Sequence, residues 1–318
     1  MKSINKAILL VGGRGTRLAP LTNATPKPML KIAGTPVTEH QILRAREAGV
    51  QEIVLATSYL AEVFQPHFGD GEKFGVRITY AFETEPLGTG GAIANAASEL
   101  NLSPGESIYI FNGDVLSQHS LAEQQKFHRA KQADATLHLI EVSDARAYGC
   151  VPIDSSGRVV EFLEKMANPK ANSINAGCYI FTSEMIDRIP KNEVVSIERD
   201  SFPNWLIEGA KIYGHLDSSY WIDMGTPAAM IKASQDLVLQ NYGENLIMPG
   251  AQIASDASII KGSFVDNGSI IESRAQISGS IIASGAIIES GAIIENSYVA
   301  ANSRVKSGSN LRENIHGF

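Results

Sequence analysis

The sequence has few cysteines, no long apolar run and no excess of positive charge, and each absence excludes a class of protein. Its two cysteines, Cys150 and Cys178, lie in apolar segments without a CxxC spacing, which favours buried reduced thiols over a disulfide or a metal site. No apolar stretch reaches about 18 residues, and no cleavage-site pattern follows the short apolar run near the start. We therefore expect no membrane span, no signal peptide and a cytoplasmic location.

The charge balance argues against nucleic acid as a partner. A net charge of -7 does not supply a broad basic surface, although it leaves room for a local basic pocket. Hydrophobic residues at 44% and charged residues at 19% are typical of an ordinary soluble protein, and 318 residues are enough for two domains. Any phosphate-bearing partner is therefore expected to be a small molecule. Six histidines lack metal-ligand spacing and are expected to be structural or solvated: His40, His67, His119, His128, His138 and His215.

Two familiar glycine signatures are also missing from the loop at residues 9–31, LLVGGRGTRLAPLTNATPKPMLK. Counted from Gly13, a dinucleotide fingerprint requires glycine where Leu18 stands, and no glycine has the P-loop spacing to Lys-Ser or Lys-Thr. What is present is an apolar strand, three glycines, and the cations Arg17 and Lys27. Because glycines let backbone N–H groups approach a ligand closely, this pattern indicates a site for an anion.

The first half of the chain alternates between strand and helix patterns. Strands are predicted at KAILLV, EIVLAT, VRITYAF, SIYIFN and ATLHLIEV, and helices at TEHQILRAREAG, TGGAIANAASEL and SLAEQQKFHRAKQA. This order predicts an α/β fold with a Rossmann-like, mostly parallel sheet and ligands at the carboxyl ends of its strands. The glycine loop and the NGD segment at 112–114 both follow such strands.

After Gly149 the pattern is more mixed. GCVPID, RVVEFLEK and NAGCYIFTSE are predicted to be strands, and SIERDSFPNWLIEGA is predicted to be a helix. A last helix is expected to begin with Thr226 as N-cap and Pro227 in its first turn, and to end near Gly243. Residues 1–243 are therefore predicted to form the catalytic domain.

Residues 244–318 have a six-residue period. Small residues stand two positions before almost every aliphatic residue of the period, which is typical of a parallel β-helix with one inward aliphatic side chain per short strand. The repeats resemble left-handed hexapeptide β-helices. The aliphatic positions expected to face inward are Ile247, Ile253, Ile259, Val265, Ile271 and Ile277, and then, after a four-residue step, Ile281, Ile287, Ile293, Val299, Val305 and Leu311.

The chain resembles the sugar-1-phosphate nucleotidylyltransferases, and within them most closely the mannose-1-phosphate guanylyltransferases. The motifs that carry the resemblance span the chain: GGRGTRLAPLT, PKPML, EPLGTGGA, NGD, YG, FLEK, NAG and WIDMGTP. The resemblance implies attack of a sugar phosphate on the α-phosphorus of a nucleoside triphosphate, with release of pyrophosphate. GTP and mannose 1-phosphate are the expected substrates. Such a reaction brings anions together and therefore requires a backbone cradle, cations and a metal ion.

The resemblance assigns the phosphate and metal roles to particular residues. Arg17 is expected to neutralise the departing pyrophosphate, and Lys27 to belong to the same phosphate-binding loop. Asp114 and Asp223 are the expected Mg²⁺ ligands. The backbone cradle is expected at four residues: Gly12, Gly13, Gly15 and Thr16.

The resemblance also implies a sugar pocket and a base pocket. Lys165 is expected on the attacking phosphate and Glu164 on sugar hydroxyls, although Met166 stands where the family usually has proline. Gly149 and Asn175 would complete the sugar pocket. The base pocket resembles that of the guanylyl-transferring enzymes, in which glycine lets the purine approach, but sequence chemistry alone allows any base. Its expected residues are Glu85, Pro86, Leu87, Gly88 and Thr89.

Three other interpretations were weighed beside this one, and two of them stay open. The chain could use dTTP, UTP or CTP with glucose 1-phosphate, or it could be an inactive subunit that senses a nucleotide sugar. Retention of the charged residues counts against the second. Acyl transfer by the β-helix is rejected, because its one histidine, His316, lies near the end. We further expect a homo-oligomer formed through residues after Gly243, with Phe318 as a cap on the β-helix.

Overall fold

The computed structural model describes residues 3–163 and 167–318. The chain forms two compact units. The first, which we call the sheet unit, comprises Met1–Arg14 and Thr38–Trp221, and the second, the repeat unit, comprises Gly15–Val37 and Ile222–Phe318. The predicted domains, 1–243 and 244–318, divide the chain differently and stay a prediction.

The helices and strands are short and follow one another closely. The α-helices are α1 (Val37–Glu47), α2 (Phe64–Phe68), α3 (Gly88–Ala97), α4 (Leu121–Ala130), α5 (Ser183–Asp187), α6 (Phe202–Ile207) and α7 (Pro227–Asn241). The strands before residue 225 are β1 (Lys6–Leu10), β2 (Lys31–Ile32), β3 (Thr35–Pro36), β4 (Glu52–Thr57), β5 (Arg77–Phe82), β6 (Ser107–Asn112), β7 (Val115–Ser117), β8 (Ala135–Glu141), β9 (Ser173–Thr182), β10 (Ile212–Leu216) and β11 (Trp221–Asp223). The remaining strands are β12 (Asn245–Ile247), β13 (Gln252–Ile253), β14 (Ser258–Ile260), β15 (Ser263–Val265), β16 (Ile270–Ile271), β17 (Gln276–Ser278), β18 (Ile281–Ile282), β19 (Ile287–Ile288), β20 (Ile293–Glu295), β21 (Tyr298–Val299), β22 (Arg304–Val305), β23 (Asn310–Arg312) and β24 (Ile315–His316).

The sheet unit is built on a seven-stranded sheet with the order β10-β8-β9-β6-β1-β4-β5. Strand β9 is antiparallel to both of its neighbours, β6 and β8, whereas the other neighbouring strands are parallel. Apolar residues of the central strands, such as Ile8, Val54 and Ile110, are fully buried between helices. The predicted Rossmann-like fold is confirmed. The carboxyl ends of the parallel strands and the start of β9 meet at one edge, which we call the carboxyl edge.

Two segments after Gly149 differ from the prediction. GCVPID and the described part of RVVEFLEK are not continuous strands but meet through isolated bridges, such as Cys150 with Leu163 and Ile153 with Val159. SIERDSFPNWLIEGA divides into a π-helical turn, Ile197–Ser201, and α6. Proline explains this division, because Pro203 lacks an N–H group and fits only the first turn of a helix.

The prediction for α7 is confirmed. The Oγ1 atom of Thr226 accepts a hydrogen bond from the N–H of Ala229 at 3.2 Å, and Pro227 stands in the first turn. The helix ends at Asn241, shortly before Gly243 at a φ of 92°. Both cysteines are free and buried, as predicted. In the two described ranges, no helix has the length and apolar character needed to cross a membrane.

The repeats form a parallel β-helix with three sheets, and the predicted fold is confirmed. Its inward stack differs from the prediction after Ile277. Ile282, Ile288 and Ile294 are buried in the core with Val299 and Val305. Neighbouring strand residues face opposite sides, so Ile281, Ile287 and Ile293 face outward and were assigned one residue too early.

The shift has a cause in the corners of the β-helix. The corner before β15 uses two residues with positive φ, Lys261 at 56° and Gly262 at 72°, whereas the corresponding corner of the next coil, before β18, uses only Gly279 at 58°. Later coils are therefore shorter by one residue. Phe318 also differs from the expectation: its ring stacks on Tyr298 with centroids 6.3 Å apart, on the outer face of β21 and not over the inward stack.

Candidate functional site

The glycine loop begins at the carboxyl edge, where hydrogen bonds join three strand ends. The N–H of Val11 donates to Ala56 O at 2.9 Å, and the N–H of Gly113 donates to Leu10 O at 3.0 Å. Ser58 Oγ donates to Gly12 O at 2.7 Å. A Cβ on Gly12 would lie 2.8 Å from Ser58 Oγ, whereas one on Gly13 would meet nothing within 4 Å. Glycine is therefore needed for packing at Gly12, and the backbone of Gly13 faces open space.

Asp114 lies at the same edge, in the turn between β6 and β7, and is half-buried. Gln41 holds this turn, because its Nε2 donates to both Asn112 O and Val115 O at 2.8 Å. A Cβ on Gly113 would come within 2.4 Å of Leu10 O, so the turn can lie against β1 only with glycine there. The NGD segment is thus fixed by backbone contacts, which present the Asp114 carboxylate at the carboxyl edge.

The predicted base segment is held by a loop of the same unit. The N–H of Val195 donates to Leu87 O at 2.9 Å, and Gly90 N–H donates to Val195 O at 2.8 Å. Thr89 Oγ1 donates to Glu198 Oε2 at 2.8 Å. A Cβ on Gly88, whose φ is 72°, would lie 2.5 Å from Val195 O. The contact with Val195 alone explains why glycine is required at this position. Close approach of a purine to Gly88 therefore stays a prediction. Glu85 and Pro86 are exposed beside it.

Glu83 is a candidate that the sequence analysis missed. It follows β5 directly at the carboxyl edge, and its Oε2 accepts a hydrogen bond from the N–H of Leu87 at 3.3 Å. Its other oxygen, Oε1, is buried and has no hydrogen-bond partner in the part of the chain that the structure describes. Burial raises the pKa of the Glu83 carboxyl, against the lowering effect of the Leu87 N–H. The signal in the sequence was a carboxylate placed directly after a strand.

Asn175, expected in the sugar pocket, lies near the start of β9 at the same edge. Its Nδ2 donates to Tyr179 Oη at 2.8 Å, and its Oδ1 accepts from Gly177 N–H at 3.0 Å. Tyr179 is fully buried, and a Cβ on Gly177 would come within 3.0 Å of the Asn112 side chain. Burial raises the pKa of Tyr179 well above its ordinary value. Gly177 therefore lies between Asn175, to which it is hydrogen-bonded, and Asn112 of the NGD segment.

The other sugar-pocket residues are less informative. Gly149 is half-buried and precedes Cys150, whose N–H and C=O groups pair with those of Leu163. Glu164 and Lys165 lie outside the described residues, so their predicted roles stay predictions.

The second part of the glycine loop belongs to the repeat unit. Gly15 has a φ of 61°, and its carbonyl accepts a hydrogen bond from Thr22 Oγ1 at 3.0 Å. A Cβ on Gly15 would lie 2.8 Å from Lys27 Cβ, so the loop folds closely onto that lysine. Thr16 and Arg17 are exposed in the short helical turn Thr16–Leu18.

Two cations of this loop lie beside the WIDMG segment, within the same unit. The guanidinium of Arg17 packs on Gly225, where a Cβ would come within 3.0 Å of it. Lys27 is 7% exposed, and its Nζ lies 3.7 Å from Asp223 Oδ1. The structure thus brings Asp223 to Gly15, Arg17 and Lys27, although it is far from them in sequence. A local cluster of cations beside a glycine turn is suited to phosphate.

The expected Mg²⁺ ligands fit the chemistry of that ion. Mg²⁺ prefers oxygen ligands and is usually held by one or two carboxylates together with water and substrate phosphates. Asp114 and Asp223 are half-buried carboxylates that supply such atoms. No group of three or more His, Cys, Asp or Glu side chains in the described ranges could hold a metal ion by itself. A cage made only of protein ligands is not what Mg²⁺ requires, so each residue by itself fits the chemistry of the ion.

Three histidines are part of the core of the sheet unit. His119 and His138 stack with ring centroids 3.5 Å apart, and burial lowers the pKa of His138 to about 3. The Nδ1 atom of His128 lies 2.8 Å from Thr136 Oγ1, and burial lowers the pKa of His128 to about 4. The expected structural role is confirmed for these residues.

Comparisons with known proteins show the family of the chain. The family model described as nucleotidyl transferase matches residues 6–240. A mannose-1-phosphate guanylyltransferase of Mycobacterium tuberculosis is 48% identical over 269 residues, which cover 81% of this chain and 74% of the relative. A probable mannose-1-phosphate guanylyltransferase 2 of Oryza sativa is 37% identical over 258 residues, covering 80% of this chain and 71% of the relative.

Solved structures support the fold. HddC from Yersinia pseudotuberculosis, in a crystal structure complexed with GMP-PN, is 29% identical with a TM-score of 0.63, covering 74% of this chain and 100% of that chain. A putative glucose-1-phosphate thymidylyltransferase from Bacillus anthracis has a TM-score of 0.63 at 23% identity, covering 72% of this chain and 93% of that chain. At that identity the likeness shows the fold alone.

Proposed function

The chain belongs to the nucleotidyl transferase family, and we propose that it transfers the guanylyl group of GTP to mannose 1-phosphate, giving GDP-mannose and pyrophosphate. The observation that carries the proposal is the cluster of Arg17, Lys27 and Asp223 at the glycine turn. It occurs in a chain 48% identical to a mannose-1-phosphate guanylyltransferase.

The main obstacle to the reaction is charge repulsion. The attacking phosphate oxygen and the triphosphate are both anionic, and pyrophosphate carries more charge as it leaves. Arg17 is exposed and can approach the β- and γ-phosphates, whereas Lys27 is buried and held in one position. Fixed cations stabilise the developing charge without having to reorganise during the reaction. Lys165 has the corresponding role on the attacking phosphate in this proposal.

The metal ion proposed for the reaction is Mg²⁺, held by Asp114 and Asp223. When bound, Mg²⁺ neutralises phosphate charge and polarises phosphoryl oxygens. The carboxylate of Asp223 has a second role in the chain, because it lies beside the Lys27 ammonium at 3.7 Å and offsets its charge. This pairing stabilises a buried lysine in the absence of phosphate.

Glu83 supports guanine as the base. A carboxylate accepts hydrogen bonds only, and guanine presents two adjacent donors, N1–H and the N2 amino group. Cytosine and adenine present an acceptor at the corresponding ring nitrogen. A buried carboxylate oxygen beside the Glu85–Thr89 segment therefore favours GTP over CTP. Asn175 and Gly149 are proposed to contact the sugar.

Two further features belong to the proposal. We place the enzyme in the cytoplasm and expect a homo-oligomer formed through the β-helix after Gly243. Outward-facing isoleucines such as Ile287 and Ile293 are half-buried and offer apolar surface that suits packing against another subunit.

The substrates are tested by measuring pyrophosphate release with each combination of four nucleoside triphosphates and two sugars. GTP, dTTP, UTP and CTP are each combined with mannose 1-phosphate and with glucose 1-phosphate. The highest kcat/KM is expected for GTP with mannose 1-phosphate. A higher value for dTTP or UTP would overturn the guanylyl assignment, and no turnover with any pair would favour the nucleotide-sugar-sensing alternative.

A further inference from the structure

The segment that carries Arg17 and Lys27 is packed on the β-helix within the repeat unit. Its hairpin, β2 and β3, pairs Lys31 with Pro36 and Ile32 with Thr35. A Cβ on Gly34 at the tip would come within 3.3 Å of the Phe264 ring, on β15 of the β-helix. The hairpin is therefore supported by the repeats and not only by its own two strands.

An ion pair adds a directed contact at the base of this hairpin. Lys31 Nζ donates to Asp266 Oδ2 at 2.9 Å, and Asp266 Oδ1 accepts from the N–H of Asn267 at 2.8 Å. The Asp266 side chain is 5% exposed and that of Lys31 is 47% exposed. Separating a buried carboxylate from its cation leaves an uncompensated charge, which is strongly destabilising. The pair therefore holds the Lys31 side chain against Asp266.

A second contact joins the hairpin to α7. The N–H of Ala33 donates to Ser234 Oγ at 3.0 Å, and both groups are buried. The hairpin therefore contacts two different elements of the repeat unit.

The hairpin is joined to the catalytic cations by a stiff connection. Lys27–Met29 form a short helical turn in which Leu30 N–H donates to Lys27 O at 3.1 Å. The N–H of Val37 donates back to Leu30 O at 3.3 Å. Lys31 follows Leu30 directly, so a displacement of Lys31 is transmitted to Lys27 through few rotatable bonds.

We propose that Asp266 of the β-helix is a positioning residue for phosphate binding, which acts through Lys31 on the segment that carries Arg17 and Lys27. The inference rests on the proposed function for its effect on GTP. The repeats then contribute to catalysis without supplying a group that touches the substrate. Small displacements of catalytic groups have large effects on rate. Loss of the Lys31–Asp266 ion pair is therefore expected to affect function.

The test compares Asp266→Asn with Asp256→Asn in the full chain. Asp256 is a matched control because it lies on the same β-helix, is exposed and accepts a hydrogen bond from Ser273 Oγ. We expect Asp266→Asn to raise KM for GTP by about 10-fold and to leave KM for mannose 1-phosphate unchanged. Amide hydrogen exchange in peptides covering residues 15–31 is expected to become faster. The control is expected to change neither quantity.

Lys31→Gln and the double variant complete the design. If Asp266 acts through Lys31, the double variant resembles either single variant, because coupled residues are not additive. Lys31 is partly exposed, so Lys31→Gln tests the same contact even if Asp266→Asn does not fold. Unchanged exchange at 15–31 in Lys31→Gln would overturn the inference, and so would an equal KM for GTP in Asp266→Asn and Asp256→Asn.

The design separates the two proposals. If the wild-type chain shows no turnover with GTP and mannose 1-phosphate, the proposed function fails, and hydrogen exchange at 15–31 still decides the structural claim. If the wild type is active and the Asp266 variant matches it in both measurements, only the positioning role fails.

Discussion

Lys27 Nζ and Asp223 Oδ1 lie 3.7 Å apart, although almost two hundred residues of sequence separate them. Both belong to the repeat unit, as do Arg17 and Gly225. The chain therefore places its signature cations beside a carboxylate that is suited to Mg²⁺. This pair offsets charge in the free protein and supplies a phosphate contact and a metal ligand in the proposed reaction.

Lys27→Met is expected to lower kcat by about 10²-fold or more, since one preorganised cation is lost from the transition state. Folding is expected to persist, because methionine fills a similar volume. Steady-state pyrophosphate release measures the effect. Lys232→Met is the control, because Lys232 is exposed on α7 and pairs only with Asp236 among its described ion pairs. Equal loss in both variants would refute the role of Lys27.

Glu83→Gln is expected to reduce the preference for GTP over CTP by about 10-fold or more, the range for one paired base contact. Competition assays with both nucleotides measure the ratio. Glu99→Gln, at an exposed position after α3, is expected to leave the preference unchanged.

The raised pKa of Glu83 predicts a pH effect with a defined sign. The ionised Glu83 carboxylate can accept both hydrogen bonds from guanine, N1–H and the N2 amino group, whereas the protonated carboxyl carries a competing O–H donor. KM for GTP is therefore expected to rise as pH falls through the raised pKa of Glu83. Glu83→Gln is expected to remove this dependence. A preference and a pH profile equal to those of the wild type would exclude Glu83 from base recognition.

Tyr179→Phe removes the hydroxyl that accepts a hydrogen bond from Asn175 Nδ2 at 2.8 Å. We expect stability to fall by about 1 kcal/mol, because the half-buried Asn175 amide loses a hydrogen-bond partner. KM for mannose 1-phosphate is expected to rise while KM for GTP stays constant. Denaturant unfolding and two-substrate kinetics measure these effects. An equal change in both KM values would contradict a specific link from Tyr179 to the sugar pocket.

Acid is expected to destabilise the sheet unit through His128. Burial and the neighbouring Arg129 lower its pKa to about 4, whereas the nearby Asp134 raises it. The unfolded chain, with a histidine pKa of about 6.5, binds the proton first as pH falls, so stability declines between about pH 6.5 and pH 4.

The effect from His128 amounts to about 2 kcal/mol at pH 5. His128→Gln is expected to flatten the pH dependence of unfolding in that range. An equal slope in variant and wild type would show that His128 does not carry the effect.

Much of the sheet could be predicted, because runs such as SIYIFN have the length and composition of a buried parallel strand. The second half of the β-helix could not be predicted in register. In isoleucine pairs such as Ile281 and Ile282, either residue could face the core as far as the sequence shows. The corner at Gly279, shorter by one residue, turns Ile282 inward. Local patterns carry no information about such a choice.

The candidate site was predicted unevenly for a similar reason. Gly12 and Asp114 follow strands and could be placed at the carboxyl edge. The proximity of Lys27 to Asp223 depends on tertiary packing, and only the family resemblance pointed to both. Glu83 was missed because nothing in its sequence context distinguishes a buried carboxylate from an exposed one. The contact of Gly88 with Val195 likewise becomes visible only in the folded chain.

The most direct test of the account is ³¹P NMR of the purified full chain mixed with GTP, mannose 1-phosphate and Mg²⁺. The account predicts that the γ-phosphate resonance of GTP and the mannose 1-phosphate resonance disappear together, replaced by the pyrophosphate signal and the paired signals of GDP-mannose. With Arg17→Ala the same conversion is expected to be slower by about 10²-fold or more. Release of inorganic phosphate with mannose 1-phosphate left unchanged, or no conversion at all, would contradict the central claim.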